Sequence, residues 1–159
     1  MTDLRAIPFD PELSQGARNA IRTCLRVQPG EKVTLITDLA CREIAASIAH
    51  EIEQVGSPYR AFVLEDLAPR PLTDMPAAVL DDMESSQVSI YAVQAQMNEL
   101  KTRMQMTDVV NRRKMRHAHM VNISHDIMLQ GMRADFHKVD AISRKVIDVP
   151  LHKFLTGEG

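Results

Sequence analysis

Tryptophan is absent, and Tyr and Phe together supply six residues. Stacking surfaces for nucleobases are therefore scarce, and the formal net charge of −2 removes the electropositive footprint of a nucleic-acid binder. Only Cys24 and Cys41 carry thiols. Two cysteines cannot build a disulfide framework, and both fall in helical patterns, so both are expected to be buried structural thiols in a reducing cytoplasm. No apolar run approaches the ~20 residues that cross a bilayer, so no membrane partner is expected. The N-terminus, MTDLRAIPFDPEL, is acidic and broken by Pro8 and Pro11, unlike a signal peptide. Glycine is sparse, with six in 159 residues. The turn after the first apolar strand, TDLACRE, contains none, and a backbone bearing side chains there cannot close on a phosphate as a Rossmann or P-loop turn does.

What remains is a chain of ordinary globular composition, long enough for one domain with a real core, and residues 1–159 are read as a single α/β domain. Asp10 and Pro11 begin a helix carrying Leu13, Ala17, Ala20, Ile21, Cys24 and Leu25. Pro29-Gly30 ends it. Lys32 to Thr37 reads as a strand. Asp38 caps a second helix with the stripe Ile44, Ile48, Ile52 and Val55, stopped at Gly56 and Pro58. Tyr59 to Leu64 is a second strand, followed by the proline-rich loop EDLAPRPLTDMP, which cannot enter a sheet interior. A short helix over Ala77 to Glu84 leads to a third strand, Val88 to Val93. Helical spacing then runs from Gln96 to Arg116 through Met97, Leu100, Met104 and Val110. His119 to Ile123 is a fourth strand. Ser124 caps a last helix, expected to reach about Asp148, with Met128, Met132, Phe136, Val139, Ile142 and Val146 on its stripe.

Strands alternating with helices imply βαβ units with right-handed crossovers. The expected fold is an open, mostly parallel sheet of about four strands with helices on both faces.

Candidate chemistry is thin. His117 and His119 share a face if extended, with His125 and Asp126 at the next turn; imidazoles and a carboxylate are zinc-type ligands, yet no Cys or Glu stands at ligand spacing beside them. Arg112, Arg113, Lys114 and Arg116 fit a solvated helix end, with Arg116 able to meet an anion across a cleft. Arg116, His117 and His119 are the cleft candidates; no catalytic, cofactor or metal residue is assigned. Ser124-His125 reads as a helix cap rather than as nucleophile and base. Seven methionines fall between Met97 and Met132, suiting either core filling or a contact surface that re-packs.

Two segments, VQPGEKVTLITD (Val27 to Asp38) and NISHDIMLQGMRADFHKV (Asn122 to Val139), resemble the N-terminal domain of the aminopeptidase T and aminopeptidase S family of cytosolic metallo-aminopeptidases, to which 2,5-dihydroxypyridine dioxygenases are related. The resemblance spans roughly Ser14 to Asp148. It implies a domain that shapes a substrate cleft and subunit contacts. In that family the divalent metal ions are held by Glu, His, Tyr and Asp of a C-terminal catalytic domain, and no position here corresponds to those ligands. The expectation is a domain that is catalytically silent alone, without a cofactor of its own, whose partner is the missing catalytic domain or another subunit, with homo-oligomer formation. Two alternatives stand beside it: a small binding module using the carboxyl ends of its strands, or a metal-dependent enzyme built on His117, His119 and Asp126.

Overall fold

In the computed structural model, residues 1–147 are described. Four parallel strands form one sheet: β1 (Val33–Thr37), β2 (Tyr59–Val63), β3 (Val88–Val93) and β4 (Arg116–Val121), in the order β2-β1-β3-β4. The helices are α1 (Ser14–Arg18, running into a π-helical turn at Asn19–Cys24), α2 (Arg42–Val55), α3 (Leu64–Leu67), α4 (Ala77–Glu84), α5 (Leu100–Arg113), α6 (His125–Leu129) and α7 (Phe136–Ile147). The expected open α/β sheet with helices on both faces is what the chain forms.

Every residue of β1 and β3 is buried, as central parallel strands covered on both faces must be. Side-chain alternation divides them between two cores. Val33, Leu35, Val88 and Ile90 pack with Ile21, Ile44, Ile48 and Ile52 under α1 and α2. Ile36, Tyr91 and Val93 pack with Val79, Met83, Met106 and Val109 under α4 and α5. Gly56 ends α2 in the left-handed region at φ 81°, as expected of a helix-stopping glycine.

Three expectations are corrected. Strand β4 begins at Arg116, three residues before the apolar signal, because Arg116 and His117 extend the ladder opposite Val88 and Ser89. The last helix is not continuous. Ser124 does cap it, its hydroxyl accepting from the Ile127 amide at 3.3 Å. The helix then breaks at Gln130 (φ −111°, ψ −81°), passes through a 3₁₀ turn at Gly131–Arg133 and restarts behind Asp135, whose carboxylate accepts from Lys138 N at 3.2 Å. Met128 is fully buried, whereas Phe136 is half-buried and Val139 and Ile142 are exposed. Val146 as a core residue and Asp148 as a helix end lie outside what is described. Finally, Cys24 is exposed; only Cys41 is buried.

Candidate functional site

Between β1 and β3 the connections reverse direction across the sheet, since β1 leads to β2 on one side and β3 leads to β4 on the other. Open α/β sheets bind ligands in the crevice at the carboxyl ends of such a strand pair. Here that position is occupied by the protein itself.

Asp38 follows the last residue of β1 and Gln94 follows the last residue of β3. The two strands run in register, Thr37 opposite Ala92, so the exits lie side by side. The Asp38 carboxylate accepts from Cys41 N at 2.8 Å and from Gln94 N at 2.7 Å. The proline-rich loop after α3 inserts Arg70 between them. Its Nη1 donates to Asp38 Oδ2 at 2.6 Å, its Nη2 to Gln94 O at 2.8 Å and Glu99 Oε2 at 2.5 Å, and its Nε to Glu99 Oε1 at 2.9 Å. Glu99 also accepts from Leu72 N at 2.9 Å, which ties the loop to the start of α5. Side-chain exposure is 3% for Arg70, 1% for Asp38 and 2% for Glu99. This is a buried, bidentate guanidinium fork between two carboxylates.

Charges respond accordingly. The Glu99 hydrogen bonds, outweighing the cost of burial and joined by those of Asp38, hold the Arg70 guanidinium further into its protonated form. Burial pushes the Glu99 carboxyl up, but hydrogen bonds from Arg70 and Leu72 N and the Arg70 charge more than reverse it, leaving the group below the usual glutamate range. Cys41, beside this cluster, is pushed up to about 11 by burial, so it is a poor nucleophile at neutral pH. Among the described residues no buried side-chain nitrogen or oxygen lacks a hydrogen-bond partner.

The rim around this plug is stitched and mixes apolar with polar side chains. Gln94 Nε2 donates to Ile123 O at 2.9 Å, joining the exits of β3 and β4. Leu39, Met97, Leu100 and Ile127 are exposed, and all sit in the segments that leave β1, β3 and β4 at this same end. Met97 is 86% exposed. Met104 is also exposed, one turn further along α5, whereas Met106 is fully buried. The methionine-rich region is divided: Met106 and Met128 are core, and Met97 and Met104 are surface.

The cleft candidates lie elsewhere. Arg116 is at the opposite end of the sheet, where it pairs with Glu31 and donates to Arg26 O at 3.0 Å, clasping the turn before β1. His117 and His119 do come together on β4, on the α5 side of the sheet. His117 Nδ1 is 2.7 Å from Ser89 Oγ, and its Nε2 is 3.3 Å from His119 Nδ1. The His119 ring stacks on Tyr91 with centroids 5.4 Å apart. Burial, then the neighbouring His119, outweigh the Ser89 contact and lower the proton affinity of His117 to a pKa of about 4; His119 is lowered by burial and by Arg103. His125 does not join them, pairing instead with Glu43 at 3.2 Å. Among the described residues no three of His, Cys, Asp and Glu converge as a metal cage, so Asp126 does not complete a site with His117 and His119.

No protein-family model and no curated protein sequence matches the chain. Among solved structures there is a distant likeness to wild-type AmpT from Thermus thermophilus, at 14% identity and a TM-score of 0.37, covering 84% of this chain and 33% of that one. The chain thus spans about a third of the length of that protein.

The residues the sequence did not single out are Arg70 and Glu99. Asp38 was legible only as a helix start.

Proposed function

We propose that this chain is a non-catalytic α/β domain of metallo-aminopeptidase type, which docks a metal-binding catalytic domain against the carboxyl end of its sheet and forms one wall of the substrate cleft. One observation carries this reading: the ligand position at the strand reversal is filled by Arg70, and the rim around it bears Leu39, Met97, Leu100 and Ile127 in solvent. A ligand crevice needs an empty concave space with a few placed polar groups, whereas a docking face needs a rigid centre and a re-packable apolar border. The resemblance of Val27 to Asp38 and Asn122 to Val139 to the family's N-terminal domain supports the choice of partner. Divalent metal ions would belong to that partner domain. The same plug weighs against the stand-alone ligand-binding module, since a ligand there would have to expel a paired guanidinium.

The chain alone is expected to hydrolyse no aminoacyl reporter with zinc, cobalt or manganese added. Chelator-sensitive hydrolysis that disappears in His117→Ala would overturn the reading in favour of a histidine-based enzyme. Light scattering supplies the second arm. A dimer that dissociates when Leu39, Met97 and Leu100 are changed to glutamine, with circular dichroism unaltered, would assign the rim to self-association instead of to a catalytic domain.

A further inference from the structure

We propose that His117 and His119 form an open two-histidine chelate for a borderline divalent transition ion of the zinc and copper class, mounted on the edge strand of the sheet. This site is separate from the docking face and does not depend on it.

The period of two along β4 places both rings on one face. The atoms that face each other are His117 Nε2 and His119 Nδ1, 3.3 Å apart. That separation is within hydrogen-bonding reach, so an incoming ion replaces the proton between the two nitrogens. The separation also matches the span of two metal–nitrogen bonds of about 2.0–2.1 Å meeting at a tetrahedral angle, roughly 3.3 Å.

Both rings are held before any ion arrives. Ser89 is fully buried, and its hydroxyl lies 2.7 Å from His117 Nδ1. A hydroxyl can donate or accept. When it accepts from Nδ1–H, the lone pair of His117 is left on Nε2, facing His119. An outer hydrogen bond of this kind fixes tautomer and ring orientation in metal-bound histidines. His119 is held by its stack on Tyr91, itself buried. Among the described residues β4 has β3 on one side only, so the pair sits at the sheet margin, and the His119 side is solvent-exposed.

Imidazole pairs favour zinc, copper and nickel over the oxygen-seeking magnesium and calcium. Among the described residues no third protein ligand stands near, so the remaining positions fall to water. Arg103 on α5 acts on His119 through its charge and opposes a dication. Affinity is therefore modest, and its sensitivity to Arg103 is a signature of this location.

The test uses the untagged full chain titrated with zinc chloride, followed by calorimetry and by ¹⁵N NMR of the imidazole nitrogens. One equivalent should bind, shifting His117 Nε2 and His119 Nδ1 while His117 Nδ1 stays protonated. His119→Ala, an exposed position, should weaken binding by about tenfold or more, on the order of what the loss of a metal-site group produces. His125→Ala should change nothing, and Arg103→Gln should tighten binding. Absence of saturable binding below about 1 mM, shifts confined to His119 Nε2, or unchanged affinity in His119→Ala would each overturn the proposal. The nitrogen shifts are read on the wild-type chain, so they decide the matter even where a variant misfolds.

Discussion

Replacing Arg70 with methionine should destabilise the domain by about 3–5 kcal/mol at pH 7, the usual cost of removing one partner from a buried ion pair. Methionine keeps much of the apolar stem, so lost packing contributes little. What is lost is the fork to Asp38, Glu99 and Gln94 O. The two carboxylates then differ in what remains to them. Asp38 keeps the amides of Cys41 and Gln94, whereas Glu99 keeps only that of Leu72. Glu99 is therefore the group left least compensated, with that one amide and the charge of Arg103.

Its escape is to take up a proton. Relative to the ordinary glutamate value of 4.5, protonation at pH 7 costs about 3 kcal/mol, and at pH 5 under about 1 kcal/mol. In the wild type the folded Glu99 lies below its unfolded value, so its contribution is present at neutral pH and lost as pH falls. In the variant the folded value rises above the unfolded one, so the sign reverses: stability is lost as pH rises through it. The gap between variant and wild type should therefore narrow from pH 7 to pH 5. Urea denaturation followed by circular dichroism at both values measures this. Adding Glu99→Gln to the variant should recover part of the loss, because the buried charge goes with it. Arg70→Lys should restore little, since one ammonium cannot span both carboxylates and the carbonyl. A loss under about 1 kcal/mol at pH 7, or a gap that does not change with pH, would refute the reasoning.

Lowering pH in chelator-containing buffer should cost the wild type up to about 3 kcal/mol between pH 6.5 and pH 4, because His117 must be protonated in the unfolded chain long before it is in the folded one; His117→Gln should flatten that part of the pH–stability curve. Gly16→Ala should cost about 1–3 kcal/mol, since a Cβ there would sit 2.8 Å from the Met128 carbonyl and force α6 away from α1; an unchanged urea midpoint would mean the two helices are not in contact. Ser124→Ala should lower stability by about 1 kcal/mol, and Phe136→Ala, at a half-buried position, by less than about 2 kcal/mol, so a larger loss at Phe136 would place α7 deeper against the fold than it lies.

How much of this was legible depends on how local the cause is. Strand β3 matches its apolar run end to end, because VSIYAV is β-rich and buried on both faces. The α4 boundaries match for a similar reason: Pro76 fixes the start and Ser85 the end. Strand β4 looks short in the sequence because an edge position tolerates Arg116 and His117, whose polarity hides the first two pairs of its ladder. The last helix looks continuous in the sequence because Met128, Met132 and Phe136 keep helical spacing across a break. Gly131 and Asp135 carried the opposite message, a weak helix residue followed by a capping side chain, and the stripe outweighed them.

The switch-point plug fails a different test. Asp38, Arg70 and Glu99 come from three separate connections, 32 and 29 residues apart, and none belongs to a periodic pattern. Only the fold makes them neighbours, by setting β1 and β3 in register and turning the proline-rich loop back across their exits. A sequence reader sees a proline-rich loop and infers that it stays out of the sheet, which is correct and misses its use. The same topology that would expose a ligand crevice in another open sheet here gathers the deepest charges of the carboxyl end into one closed unit. The side chains left facing outward include the large apolar groups Leu39, Met97, Leu100 and Ile127, set among polar ones such as Gln96, Asn98, His125 and Asp126. The proposed docking role rests on that plug and on the exposed apolar groups beside it, and the metal site proposed at His117 and His119 stands apart from both.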